Sequence, residues 1–493
     1  MRKSGILMHI SSLPGPYGIG TMGREAYAFV DFLERSGQSY WQILPLSPTG
    51  YGDSPYQSFS AFAGNHYLID LDTLIRQGLL TREEAERFHW GDGDRVDYGK
   101  LYENRERLLR CAFARFREDG DYRRFLDQNR WWLEDYALFA ALKQKFGGKT
   151  WLRWTLSVTM RLEAGLESYR RELEEDIRFR YFLQYQFFTQ WYGLKRYAND
   201  RGIRIIGDIP IYVPLDSADV WANPGLFQLD GNRRPKMVAG CPPDSFSADG
   251  QLWGNPLYDW DKMRENGYGW WLRRLKAASE MYDVVRLDHF RGFESYWAVP
   301  ATDTTAVGGS WKQGPGMDFI RAVRQALPQT QFIAEDLGYV TREVRALQLE
   351  SGYPSMKVLE FAFDSRESGN YLPHLYPTNS VCYTGTHDNV TLRQWFDEAD
   401  PKDIAEAKAY LGLNEEEGWV WGMIRGAMSS VSDLCVVQMQ DYLQLGGDAR
   451  MNQPGTLTSQ NWTWRAEPGF ASDALADRIH GVTCRYGRLP EKP

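Results

Sequence analysis

The sequence predicts an α/β fold with eight core strands, and three observations carry that prediction. Short apolar runs of strand length recur eight times, at residues 6–10, 40–46, 203–213, 284–290, 332–337, 356–363, 381–384 and 434–439. The runs are continuous rather than alternating, which marks strands covered on both faces, as parallel strands are when helices surround them. Longer amphipathic stretches separate them, and residues 317–326 show the helical spacing expected of such a connection. Periodicity alone leaves a closed barrel and an open sheet both standing. At 493 residues the chain is about three typical domains long, yet an eight-stranded barrel with insertions absorbs that length as one unit.

The interval from 81 to about 200 breaks the rhythm and predicts a helical insertion. Thr81-Arg82-Glu83-Glu84 spells a capping box, and Leu101, Leu108, Leu109, Ala112, Phe113 and Phe116 share one helical face. Of residues 81–130, 24 are charged, about twice the chain average, so their outer faces must be solvated. A second inserted region, of lid or loop character, is expected over about 214–260. The stretch 454–493 has no clear strand run. It is expected to close the barrel with a helix near 471–480, without a separate C-terminal β-sandwich domain.

Composition narrows the function. The 43% apolar and 25% charged content is that of a globular protein. Trp 19, Tyr 28 and Phe 24 make up 14% of the chain, and such flat rings serve either a core or a sugar-binding surface. A net charge of −8 disfavours a nucleic-acid partner. Cys111, Cys241, Cys382, Cys435 and Cys484 are odd in number and scattered, which predicts neither a disulfide framework nor a structural zinc, and fits a reducing cytoplasm. The apolar stretch at 6–10 is too short for a signal-peptide core, and no run approaches the roughly 18 residues of a membrane span.

Several motifs fail on context. Gly148-Lys149-Thr150 lacks the first glycine of a phosphate loop, and Gly15-Pro16-Tyr17-Gly18-Ile19-Gly20 lacks dinucleotide-loop spacing. None of the seven His forms a metallohydrolase pair, so no metal is expected. Asn389-Val390-Thr391 and Asn461-Trp462-Thr463 match a glycosylation pattern that a chain without a secretion route would not use.

Three strand ends instead converge on acids: Arg286-Leu287-Asp288-His289, Ala334-Glu335-Asp336 and Thr386-His387-Asp388-Asn389. Carboxylates at the C-terminal ends of parallel strands are poorly placed for stability and well placed for catalysis. Cleaving an acetal between sugars needs one acid to protonate the leaving oxygen and a second carboxylate to capture the oxocarbenium-like carbon. Arg286, two residues before Asp288, is expected to hold that carboxyl low and anionic. Glu335, with Asp336 adjacent and Ile333 and Ala334 before it, is expected to sit high enough to carry a proton.

With these residues in place, the chain resembles the 4-α-glucanotransferases of the amylomaltase type, glycoside hydrolase family 77, relatives of the α-amylases. The similarity rests on Arg286-Leu287-Asp288-His289-Phe290-Arg291-Gly292-Phe293, Glu335-Asp336-Leu337-Gly338, Thr386-His387-Asp388-Asn389 and Tyr51-Gly52-Asp53-Ser54-Pro55-Tyr56-Gln57. It runs from Ser12-Leu13-Pro14 to Gly446-Gly447 in the expected order. The resemblance implies a single (β/α)₈ TIM barrel over 1–493 with inserted, largely helical subdomains, and a retaining transferase working without cofactor or metal. Asp288 would be the nucleophile, Glu335 the general acid/base and Asp388 the acid that stabilises the transition state. Arg286, His289, His387, Tyr56, Asp208 and Ser54 would bind substrate around them.

It also implies a lid over the acceptor side, from Cys241-Pro242-Pro243-Asp244-Ser245-Phe246-Ser247 to Trp253-Gly254-Asn255-Pro256, in which Phe246 and Trp253 hinder water. Ser245 stands where related proteins often have Tyr. Tyr51 and Tyr98 resemble a second glucan site. The partners implied are a glucan donor and a glucan acceptor, for a monomer or small homo-oligomer. A hydrolase of the α-amylase kind and a non-catalytic glucan-binding protein are the rival readings.

Overall fold

The computed structural model describes residues 2–50, 52–243, 247–338, 340–365 and 371–491. Tyr51, Ser245 and Phe246 lie outside the described residues. Twelve strands are present among those described: β1 (Lys3–Leu7), β2 (Tyr40–Gln42), β3 (Arg204–Ile209), β4 (Met237–Cys241), β5 (Gln251–Pro256), β6 (Val284–Leu287), β7 (Ser295–Pro300), β8 (Ser310–Gln313), β9 (Gln331–Ala334), β10 (Ser355–Val358), β11 (Ser380–Tyr383) and β12 (Leu434–Gln438). Eight of them close a parallel barrel in the order β1-β2-β3-β6-β9-β10-β11-β12. Each of the eight apolar runs supplies one barrel strand, and the closure excludes the open sheet.

Burial explains why the runs are continuous. Leu7, Ile206, Val284, Ile333, Met356, Val358, Val381, Tyr383 and Val436 belong to a small cluster that fills the barrel. Their sequence neighbours Ile6, Ile205, Val285, Phe332, Cys382, Cys435 and Val437 belong to the larger cluster that includes the surrounding helices. Both faces of each strand are therefore dry. The aromatic excess is absorbed in the same way, since fourteen of the nineteen Trp are buried. Most of these rings are core rather than ligand surface.

Residues 81–200 form helices, chiefly Tyr98–Arg115, Gly120–Lys145 and Glu174–Asp200. The capping box is made in both directions: the Glu84 amide donates to Thr81 Oγ1 and the Thr81 amide to the Glu84 carboxylate. Leu101, Leu108, Leu109 and Ala112 are buried on the face expected, while Phe113 and Phe116 pack against Phe182.

The strands at 237–256 have no counterpart in the sequence reading. They form an antiparallel sheet of order β5-β4-β7-β8, whose last strand is exposed along its whole length. Short strands containing Gly240 and Gly254, without period-two alternation, leave little sequence signal.

The C-terminal helix spans Asp473–Arg485. Just beyond it, fully buried Arg488 donates to the carbonyls of Lys3, Met428, Ser430 and Ser432, tying the tail to the N-terminal rims of β1 and β12. Arg488→Met should strand those carbonyls in a dry environment at a cost of about 3 kcal/mol. A lowered urea midpoint with unchanged spectra in the native baseline is expected; an unchanged midpoint would show that the tail does not brace the barrel.

Candidate active site

All eight barrel strands point the same way, so their C-terminal ends open at one mouth. The ladder continues one step past β6 and β9: the Asp288 amide donates to Ile209 O at 3.1 Å and the Glu335 amide to Leu287 O at 3.1 Å. Both carboxylates are thus held at the rim by backbone pairing. Asp208 and Arg286 are direct partners across β3 and β6. Arg286 Nη1 donates to Asp208 Oδ2 at 2.6 Å and to Asp288 Oδ1 at 3.0 Å, with the guanidinium and Asp208 almost wholly buried. Tyr56 OH donates to the same Asp208 oxygen at 2.7 Å.

His289 turns left-handed, at φ 51°, directly after Asp288. That turn aims its amide at Glu335 Oε2, 2.6 Å away, while the Leu337 amide donates to Oε1 at 2.9 Å. Trp253, on β5, meets the His289 ring edge-on at 4.8 Å. The expected neighbourhood of Asp288, Glu335, Arg286, Asp208, Tyr56, His289 and Trp253 is therefore one contiguous set.

Asp388 sits in the loop after β11, half exposed. Its Oδ1 accepts from Asn452 Nδ2 at 2.7 Å and its carbonyl from Arg450 Nη2 at 2.8 Å. His387 stacks on Tyr56 with ring centres 5.1 Å apart, and Trp462 lies 5.8 Å from Tyr56 and 6.0 Å from His387. Arg450, Asn452 and Trp462 were missed by the sequence reading. The only signal for them is the polar, Gly- and Pro-containing stretch after β12, where Trp462 also adopts positive φ.

Two expected binding residues have local partners. Ser54 Oγ accepts from the Tyr56 amide at 3.2 Å, shaping the turn that presents the tyrosine. Tyr98 is half-buried, and its hydroxyl donates to Trp462 O at 3.1 Å. That bond ties Tyr98 to the backbone of the residue whose ring lies beside Tyr56 and His387.

The electrostatics correct one expectation. Burial is the largest influence on Asp288 and lifts its pKa; Asp208, Glu335 and Asp388 push the same way, and they outweigh the downward pull of Arg286. Burial also raises Glu335 and lowers His289 to about 3 and His387 below its ordinary value, so both imidazoles are neutral at pH 7. Among the described residues no group of three or more His, Cys, Asp or Glu is arranged to hold a metal ion.

This arrangement fits chemistry at a neutral substrate through carboxyl groups of differing protonation. The comparisons agree with it. A family model described as 4-alpha-glucanotransferase matches residues 8–471. The 4-alpha-glucanotransferase of Clostridium butyricum is 49% identical over 486 residues, covering 98% of this chain and all of the relative. That of Thermus thermophilus is 48% identical, covering 99% of each. Among solved structures, an amylomaltase from Streptococcus agalactiae in complex with acarbose superposes with a TM-score of 0.97 at 42% identity, covering 99% of this chain and all of that one. An amylomaltase from Corynebacterium glutamicum, at 18% identity and TM-score 0.77 over 98% of this chain and 75% of its own, shares the fold.

Replacing Arg286 by Met should remove the one guanidinium bonded to both Asp208 and Asp288. Asp288 then becomes harder to ionise, so the acidic limb of the kcat/KM profile moves to higher pH and the rate at pH 7 falls at least about a hundredfold. A limb that stays in place would mean that Arg286 does not govern the ionisation on which turnover depends.

Proposed function

The chain belongs to glycoside hydrolase family 77, the 4-α-glucanotransferases, and from that premise we propose how its own residues cleave an α-1,4-glucan and pass the segment to another glucan's 4-hydroxyl. The observation that carries the reading is the single guanidinium shared between Asp208 and Asp288, with Glu335 anchored through the backbone of the residue next to Asp288.

Both Asp288 and Glu335 are raised by burial, and catalysis needs a proton on one of them and a negative charge on the other. Arg286 favours the charge on Asp288, because its full positive charge donates directly to Asp288 Oδ1 at 3.0 Å, whereas Glu335 is bonded by two backbone amides. Glu335 then donates its proton to the glycosidic oxygen as that bond breaks, and Asp288 bonds to the anomeric carbon, holding the glucanyl segment as an ester. In the second half the acceptor's 4-hydroxyl gives its proton to Glu335, its oxygen attacks the anomeric carbon, and Asp288 leaves. Two displacements retain the α configuration.

Asp388, held by Asn452 and Arg450, presents Oδ2, 3.4 Å from His387 Nε2, to sugar hydroxyls as positive charge grows at the anomeric carbon. Tyr56 and His387 wall the ring being cleaved. Trp253, beside His289, faces the acceptor side, with Phe246 as its expected companion. We also infer a reducing compartment such as the cytoplasm, supported by the odd number and scattered placing of the five cysteines.

Asp288→Asn should reduce maltotriose disproportionation by several orders of magnitude. Glu335→Gln should still form the glycosyl ester from a maltosyl fluoride, whose leaving group needs little protonation, and the ester should persist on Asp288 in a mass spectrum of its peptides. Label on Glu335 or Asp388 would reassign the roles. Trp253→Ala should lower the ratio of disproportionation to reducing-sugar release about tenfold or more, because water needs no aromatic platform while an acceptor glucan does. An unchanged ratio would remove Trp253 from the choice of acceptor.

A further inference from the structure

The barrel mouth contains a second buried acid pair that the chemistry above does not use. Glu360 follows β10 and Asp441 follows β12, and burial raises both, Asp441 to about 7. Asp441 is fully buried, and each of its oxygens is engaged. Oδ2 accepts from Thr384 Oγ1 at 2.6 Å, and Oδ1 accepts from the Leu392 amide at 2.8 Å.

Those two partners are the ends of one loop. Thr384 is the first residue after β11, and Leu392 is the first residue of the next helix, Leu392–Glu398. Asp388 lies midway between them. A single carboxylate therefore fastens the start and the finish of the segment that carries the third acid.

The rest of the loop is held as closely. The Glu360 amide donates to Thr384 O at 3.3 Å. Gly385 passes so near Glu360 and Gln438 that an added Cβ would lie 2.7 Å from a side-chain atom of each. Asn389 Oδ1 accepts from both the amide and the hydroxyl of Thr386 at 2.8 Å, and the Asn452 amide donates to His387 O at 3.1 Å. With its base tied by Asp441 and its crown by Asn452 and Arg450, the loop has little freedom to shift Asp388.

We propose that Asp441 is a positioning residue for glucanyl transfer: by clasping both ends of the 384–392 loop it sets Asp388 at the distance where its carboxylate grips the sugar hydroxyls in the transition state. The inference rests on the reading of Asp388 given above. Asp441 itself never meets the glucan, since it is buried and both its oxygens are occupied. An Asp388 displaced by a fraction of an ångström still binds a ground-state sugar but loses the geometry on which the reacting state depends, so the defect falls on kcat rather than on KM.

The test compares Asp441→Ala, Asp441→Asn, Asp388→Asn and the double variant Asp441→Ala/Asp388→Asn, using maltotriose and the more reactive maltosyl fluoride as donors. Asp441→Ala should lower kcat about tenfold to a hundredfold with KM within about threefold. Asp441→Asn keeps an oxygen for the Leu392 amide and offers an amide to Thr384 Oγ1, so it should return to within about fivefold of the parent. In the Asp388→Asn background, Asp441→Ala should cost less than about twofold more, because its effect passes through a group already removed. A general structural role would instead multiply the two losses.

Should Asp441→Ala fail to fold, Thr384→Val removes one end of the clasp with little change of volume and should show the same kcat-selective loss. Full additivity in the double variant, or an inert Asp388→Asn beside an Asp441→Ala or Thr384→Val of parental kcat, overturns the positioning role alone. Parental activity in Asp388→Asn overturns the role of Asp388, and the inference with it.

Discussion

The pairing of Arg286 with Asp208 and Asp288 is the interaction on which the rest of the site depends. A guanidinium buried inside a barrel is costly unless charge and hydrogen bonds compensate it, and here two carboxylates do so at 2.6 and 3.0 Å. The compensation fixes more than stability. Asp208 is held in β3 with Tyr56 on its second contact, so the ring proposed to wall the sugar subsite takes its place from the same ion cluster. Asp288 is drawn to the β6 rim, and the left-handed turn at His289 carries the chain across to Glu335. The proposed nucleophile, acid and aromatic wall are thereby referred to one buried cation.

Barrel geometry makes this cluster legible in the sequence. Registered neighbours on parallel strands face the same way, so Asp208 and Arg286 had to share one side of the sheet once both runs were barrel strands. The eight runs were visible because both faces of each strand are dry, and the carboxylates because Asp288 and Glu335 stand one residue past β6 and β9 and Asp388 lies in the loop that follows β11. What stayed hidden has a common cause. Arg450, Asn452 and Trp462 come from irregular chain after β12, where no periodicity ties a residue to a place, and their contacts with Asp388, Tyr56 and His387 span more than sixty residues. The antiparallel sheet was hidden because its strands are short and β8 is exposed throughout. The raised Asp288 was misjudged from its nearest neighbour in sequence, Arg286; the opposing influence comes from burial and from acids distant in the chain.

The aromatic excess shows how composition misleads when read without packing. Nineteen Trp left a core and a ligand surface both open, and fourteen are buried, among them Trp154, edge-on to Trp221, and Trp191, edge-on to Tyr282. The rings that line the site, Tyr56, Trp253 and Trp462, are set apart by their polar neighbours rather than by exposure. Each lies against a neutral histidine or a carboxylate, which is what a sugar with an apolar face and a polar edge requires.

The charge balance of the mouth supplies a reason for so many acids. In the proposed mechanism Asp288, Glu335 and Asp388, with Asp208 buried behind Arg286, act on a substrate that carries no charge, while Arg286 answers two of the four and His289 and His387 stay neutral. Such a site gains little from electrostatics when the glucan first binds. As the glycosidic bond breaks, positive charge grows at the anomeric carbon and gives the carboxylates beside it a counter-charge. The burial and, after it, the repulsion that lift the Asp288 pKa are thus offset as that positive charge grows. Interactions that strengthen only in the transition state raise kcat without tightening the ground state. The crowding of acids is then the catalytic device, and the buried clasps that hold them, Arg286 beside Asp288 and Asp441 beneath the Asp388 loop, keep these groups from relaxing apart.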